Sequence, residues 1–227
     1  MWAVFKKELK SYFLSPIGYV VIGIFLFVFS VFFYLTTIQY GSIDLGSLYY
    51  YTALYGLMII VPILTMRMFA EERKTGTEQL ILTSPISMIE VVFGKLLAAL
   101  AVIAITLIVS TMYFAIICYF GTPNVSVLLV NMLGFILISA AALSIGMFAS
   151  SITENQIIAG VITIAFLIMS LFMEDLNSIF SNLAIMNFFQ KFPSGVISLS
   201  EVVGLISFTA MFTTFTIVVM QRRKLVK

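Results

Sequence analysis

Residues 90–119 form the stretch EVVFGKLLAALAVIAITLIVSTMYFAIICY, in which no charged residue follows Lys95. A membrane-spanning helix needs about 20 predominantly apolar residues, so this stretch is long enough to cross a bilayer and to tilt within it. Other segments meet the same requirement. The six predicted spans are, approximately, residues 17–38, 48–69, 90–119, 127–150, 156–173 and 201–220.

The composition also indicates a membrane protein. Of the 227 residues, 62% are hydrophobic and 10% are charged, whereas soluble domains carry about 25% charged residues. The surplus apolar surface must face lipid, where the backbone of each span has to satisfy its own hydrogen bonds. The predicted fold is therefore an all-α membrane protein, with one transmembrane domain over residues 1–227.

Several function classes are disfavoured by what the sequence lacks. It has no His, a single Cys and no G-x-x-x-x-G-K-[ST] loop, so we expect no catalytic site, no metal site and no cofactor bound by this chain. The net charge of +2 does not suggest a nucleic-acid partner. Arg67 and Lys95 are expected to snorkel from the ends of their spans. Because the span interiors then hold no ionisable group, ion-coupled transport is disfavoured.

The positions of Lys and Arg predict the orientation. If the N-terminus is cytoplasmic, every Lys and Arg except Lys191 lies on the cytoplasmic side of the six spans. Both termini, and the loop between the second and third spans, are therefore predicted to be cytoplasmic.

The segments beside the spans have patterns of their own. Trp2, Phe5, Leu9, Tyr12 and Phe13 share one helical face, which is typical of an amphipathic helix in the membrane interface. The same residues are also compatible with a simple flank of the first span. Residues of about 174–200 are too apolar for a free loop, and they predict one or two short outer helices between the last two spans.

Helix starts are predicted from capping patterns. Ser15-Pro16 is typical of an N-cap followed by an N1 proline. Three predicted capping boxes open later spans, namely Ser87-x-x-Glu90, Thr153-x-x-Gln156 and Ser198-x-x-Glu201.

The largest polar interruption of the chain is residues 71–85, EERKTGTEQLILTSP, which we call the charged segment. Glu71, Thr75, Glu78 and Leu82 recur along one stripe of a helix, in which Gly76 could introduce a bend or let a partner backbone approach closely. The pattern predicts a short helix between two spans, ended by Ser84-Pro85, that carries its acidic groups outward to a partner. It is equally compatible with a solvated loop that only sets topology.

The charged segment resembles the E-x-x-x-G-T-x-E-x-L-L-x-[ST]-P signature of ABC-2-type permeases, the membrane subunits of type V ABC exporters. The matching positions are Glu72, Gly76, Thr77, Glu78, Leu80, Leu82 and Pro85, with Ile81 replacing the first Leu. Residues 192–197, FPSGVI, are similar to the gliding-motility GldF-like branch, although Ser194 stands where that branch usually has a basic residue.

The resemblance implies a permease subunit of an ATP-driven exporter in a prokaryotic plasma membrane. It implies a coupling helix that docks on a separate ABC ATPase, which binds ATP and Mg, and a second permease subunit in a homodimer or heterodimer. The implied ATPase-coupling residues are Glu71, Glu72, Thr75, Gly76, Thr77, Glu78, Leu82 and Pro85. An alternative hypothesis is a membrane scaffold or assembly subunit that recruits a non-ATPase cytoplasmic partner.

Two further sites are predicted on the fourth span and the turn that follows it. Residues 150–156, SSITENQ, resemble the family's second cytoplasmic turn, which makes Thr153 and Glu154 a second contact for the partner. Ala142, Gly146 and Ser150 form a stripe of small residues suited to close helix packing. The stripe is compatible with packing within the subunit or across a dimer.

Overall fold

The computed structural model describes residues 1–41, 44–176 and 184–226, and these ranges contain helices and no strand. Helix α1 (Trp2–Leu14) ends where Ser15 adopts an extended backbone. Helix α2 (Pro16–Phe33) begins at the predicted N1 proline and continues into a π-helical turn, Tyr34–Ile38.

The second predicted span is built from three joined pieces. Helix α3 (Leu45–Tyr51) leads through a π-helical turn, Thr52–Gly56, into α4 (Leu57–Thr65). Helix α3 starts before residue 48, the predicted start of this span. A carboxylate oxygen of Asp44 accepts the Ser47 N–H at 3.1 Å and caps the helix there.

The remaining helices follow in chain order. They are α5 (Ala70–Lys74), α6 (Glu78–Thr83), α7 (Met88–Phe120), α8 (Val125–Ile152), α9 (Gln156–Leu176), a short 3₁₀ turn (Ile185–Phe189) and α10 (Leu199–Val226). The predicted outer segment at about 174–200 lies partly outside the described residues.

Within the described ranges, five stretches are long and apolar enough to cross a membrane, and the protein is a multi-pass membrane protein. They are Pro16–Ile38, Leu45–Lys74, Met88–Tyr119, Val125–Ile152 and Leu199–Lys224. The predicted span at 156–173 is helical, but its apolar part, Gln156–Phe172, is shorter than the other five. Its crossing of the membrane stays a prediction.

Helix α8 is the centre of the bundle and packs against α4, α7, α9 and α10. It is rich in buried small side chains, which let neighbouring helices approach closely. These include Ala141, Ala142, Ser144, Gly146, Ala149 and Ser150.

The N-terminal residues predicted to form an amphipathic helix are helical, as α1, which packs chiefly against α7. Leu9, Tyr12 and Phe13 lie against the hydrophobic core, whereas Trp2 is 68% exposed. Much of the predicted apolar face therefore contacts protein. Its position in the membrane interface stays a prediction.

The capping predictions had mixed outcomes. Ser87 Oγ accepts the Glu90 N–H at 3.3 Å, as predicted, but the Glu90 carboxylate contacts the Met1 amino group at 3.3 Å. The prediction for α9 was wrong, because the side chain of Asn155 accepts the Ile157 N–H at 2.9 Å. Helix α10 starts near its predicted position, yet the Ser198 hydroxyl bonds to Ser200 Oγ at 2.8 Å.

Candidate functional site

The charged segment contains two short helices, α5 and α6, joined by a sharp turn at Thr75–Thr77. Gly76 has a φ of +75°, a left-handed conformation that other residues adopt only with strain. The Thr75 and Thr77 hydroxyls lie 3.0 Å apart and donate to carbonyls of α5. The single short helix predicted for this segment is therefore divided in two at Gly76, the residue at which the sequence allowed a bend.

Helix α5 is capped by a side chain from α8. Ser150 Oγ accepts hydrogen bonds from the backbone N–H groups of Phe69 and Ala70, both at 3.1 Å. Because these donors have no partner inside their own helix, a hydroxyl from another element satisfies them. The start of the charged segment is thereby fixed to the end of α8.

Lys95 of α7 is the centre of the first ion-pair cluster. Its Nζ lies 2.7 Å from Glu72 Oε1 and 3.2 Å from Glu8 Oε1, and 5.3 Å from the centroid of the Phe69 ring. Lys7 adds a second, more exposed cation 3.8 Å from Glu72. The Lys95 side chain is 2% exposed, so the expectation that it snorkels outward was wrong. The cluster joins α1, α5 and α7.

Glu78 is the centre of a second cluster. Its carboxylate lies 3.5 Å from Arg73 and 3.2 Å from Arg223 of α10, and its side chain is 9% exposed. Both arginines also donate to the last two residues of α8, Arg73 to the Ile152 carbonyl at 3.2 Å and Arg223 to the Ser151 carbonyl at 2.5 Å. The second cluster therefore joins α5, α6, α8 and α10.

A cleft of about 300 Å³ separates α1 from the charged segment. Ser11, Tyr12, Arg67, Glu71 and Thr75 are among its lining residues. The Tyr12 hydroxyl donates to the Leu64 carbonyl at 3.3 Å. Burial, together with the nearby Glu8 carboxylate, raises the pKa of Tyr12 well above its ordinary value, so the phenol remains a donor.

These contacts define one end of the helix bundle, which we call the charged end. Two ion-pair clusters, a cross-element helix cap and a polar cleft meet there around the charged segment. Among the described residues, no group of three or more His, Cys, Asp or Glu side chains is placed to hold a metal ion. The arrangement is suited to holding helices together and moving them as a unit.

Comparison with known families gives the context for this arrangement. A family model described as "ABC-2 family transporter protein" matches residues 34–224. The chain belongs to the ABC-2 transporter family. Membership indicates a permease component of an ABC transporter, not the ATPase itself, and in general implies an ABC ATPase as partner. A search of curated proteins found no match.

In this ABC-2 protein the side chains of Glu72 and Glu78 are largely buried, so the prediction that they point outward was wrong, whereas Glu71 is 32% exposed. Glu72 and Glu78 belong to the two clusters, and Glu71 pairs with both Arg67 nitrogens Nε and Nη2 at 2.5 and 2.6 Å. The exposed members of the predicted coupling set are Thr75, Gly76, Thr77 and Pro85. Leu82 lies in α6, and its side chain is outside the described part.

The second predicted contact adjoins the charged segment. Glu154 is 77% exposed, with its carboxylate 3.8 Å from Arg73. Thr153 donates to the Asn155 carbonyl at 3.2 Å. The turn after α8 and the charged segment therefore form one continuous surface of the ABC-2 protein.

The predicted small-residue stripe packs within the subunit. A Cβ atom built on Gly146 would lie 2.3 Å from Thr65 Oγ1, so α8 touches α4 there. Ser150 caps α5, and Ala142 lines a small cavity with Ala53 and Leu57. The stripe thus supports the helix that leads into the charged segment.

The sequence did not identify Glu8, Lys95 and Arg223 as members of the site. Each is a charged residue beside or within an apolar helix, and this is the only feature of the nearby sequence that points to a role for it. Glu8 and Lys95 are separated by 87 positions, and no short motif reports such a pairing.

Proposed function

We propose that this chain is the permease subunit of an ATP-driven ABC exporter, with ATP and Mg bound by a separate ATPase subunit. It would span a prokaryotic plasma membrane six times, with both termini and the charged end in the cytoplasm. Two permease subunits, identical or different, would work with two ATPase chains. The resemblance of FPSGVI at 192–197 favours a GldF-like branch.

The observation that carries this proposal is the attachment of the charged segment to the bundle. Glu72 is held through Lys95 to α7 and α1, and Glu78 is held through Arg223 to α10. Desolvated ion pairs tolerate little change in geometry, because removing either partner leaves a charge buried without compensation. A displacement of the segment would therefore be passed to several helices together.

The chain connectivity supports the same role. Helix α4 runs almost directly into α5, and α6 is separated from α7 by a few residues. Family membership implies an ABC ATPase in general, and the exposed turn at Gly76 projects from the charged end. Movement of an ATPase bound at this turn would shift the second and third spans, opening a path for substrate.

The first test is co-purification in mild detergent, followed by mass spectrometry and an ATP hydrolysis assay. We expect a P-loop ATPase to co-purify with the wild-type chain. Gly76→Pro should reduce its recovery, because proline cannot adopt a φ of +75°. Gly41→Pro is the matched control, since Gly41 also has a positive φ, +60°, and lies in the turn before α3.

A second pair of variants tests the internal anchors. Glu78→Lys introduces a third cation beside Arg73 and Arg223, so it should release the segment and lower ATPase recovery. If substitution of both Glu72 and Glu78 by Gln left ATPase binding and hydrolysis unchanged, the coupling role would be refuted. Consistent recovery of a non-ATPase partner instead would favour the scaffold alternative.

A further inference from the structure

The exposed surface of the charged segment is less acidic than its sequence, which contains three Glu residues, suggests. Its three carboxylates are paired internally, Glu71 with Arg67, Glu72 with Lys95 and Glu78 with two arginines. Each of the three side chains is buried or half-buried. A partner that touches this segment therefore meets these carboxylates already paired with cations.

An exposed leucine lies on α6, the second helix of the charged segment. Leu80 is 72% exposed on α6, and the neighbouring Thr77 and Gln79 side chains are exposed as well. Burial of an exposed leucine in an apolar pocket of a partner protein removes this side chain from water and is favourable.

Cations lie on both sides of this leucine. Lys74 is exposed at the end of α5. Lys224 of α10 is exposed, with its Nζ 3.5 Å from the carbonyls of Ser84 and Ile86, just beyond α6. An exposed carboxylate, that of Glu154, lies 3.8 Å from Arg73. The segment thus has an exposed leucine on α6, an exposed cation before this helix and another beyond its end.

We propose that the groove of the ATPase partner has an apolar pocket for Leu80, flanked by Asp or Glu side chains that pair with Lys74 and Lys224. This inference rests on the proposed function and specifies the chemistry of the partner. Complementary charges at the edge of an interface steer association and fix its register. Burial of a leucine supplies the apolar contact between them.

The test uses the purified complex of the full chain with its ATPase, and a photoreactive phenylalanine analogue at position 80. We expect the cross-link to map to an ATPase peptide that contains Asp or Glu. Lys74→Glu and Lys224→Glu should each weaken binding of the ATPase about tenfold or more. Lys10→Glu, at an exposed lysine of α1, should not. Acid-to-lysine changes in the cross-linked peptide should restore binding to Lys74→Glu.

The outcomes separate the two proposals. If no ATPase binds the wild-type chain, the proposed function fails and the inference falls with it. If the ATPase binds, but Lys74→Glu and Lys224→Glu bind as well as the wild type, only the inference is overturned. A cross-link to lipid, or to a basic ATPase peptide, overturns it too.

Discussion

Lys95 is a buried cation whose partners come from distant parts of the chain. The desolvation of its ammonium group is compensated by Glu72 and Glu8, and by the face of the Phe69 ring. Such a cluster contributes less to net stability than to specificity, since apolar residues of the same shape can replace a buried ion pair without loss. Its value here is that it holds α1, α5 and α7 in one arrangement.

Lys95→Met should destabilise the protein by about 3 kcal/mol, because Glu72 loses its buried cation and keeps only the exposed Lys7, 3.8 Å away. The measurement is thermal unfolding of the detergent-purified chain. Adding Glu72→Gln to Lys95→Met should restore part of the lost stability, because a neutral amide then replaces the Glu72 carboxylate. Lys10→Met, at an exposed lysine, is the control and should stay within about 0.5 kcal/mol of wild type. Equal melting of Lys95→Met and wild type would contradict the cluster.

At the scale of single elements, local patterns predicted the helices and several of their ends. Apolar length identified the five helical stretches of the described residues that are long enough to cross a membrane, and the Ser15-Pro16 pair marked the start of α2. The sequence failed where neighbouring residues could each cap a helix, as with Thr153 and Asn155. At Gly76 the sequence allowed a bend, but it did not predict that the chain would turn there between two separate helices. Which conformation a glycine adopts depends on contacts that the pattern does not contain.

The contact between α4 and α8 gives a prediction about two elements. Gly146→Ala would put a methyl group 2.3 Å from Thr65 Oγ1 and 2.8 Å from Thr65 Cβ, so the helices must move apart. Overpacking of this kind costs about 1–3 kcal/mol, measured as a lower melting temperature. Gly23→Ala is the matched control, because nothing lies within 4 Å of its added methyl group. Thr65→Ala should partly restore the stability of Gly146→Ala, and an unchanged melting temperature for Gly146→Ala alone would refute the close contact.

On the scale of the whole molecule, charge is concentrated at one end of an apolar bundle. The two clusters and the exposed cations of α1 and α10 lie at the charged end, whereas Lys191 pairs with Glu201 at the start of α10, 3.4 Å apart. The sequence predicted this separation of charge, because the position of each Lys and Arg relative to the spans can be seen directly in the sequence. It could not predict which of these charges are buried in pairs, since that depends on long-range packing.

The orientation and the number of crossings can be tested together by cysteine labelling in a Cys118→Ala background. Thr83→Cys, Thr122→Cys and Arg222→Cys each place a thiol at an exposed position. With six crossings and a cytoplasmic charged end, a membrane-impermeant maleimide should label Thr122→Cys in intact cells. The other two should react only after permeabilisation.

Labelling of Thr83→Cys and Arg222→Cys, but not Thr122→Cys, in intact cells would show that the orientation is the reverse of the predicted one. Labelling of Arg222→Cys together with Thr122→Cys would show that α9 does not cross, because the end of α10 would then lie opposite the charged segment.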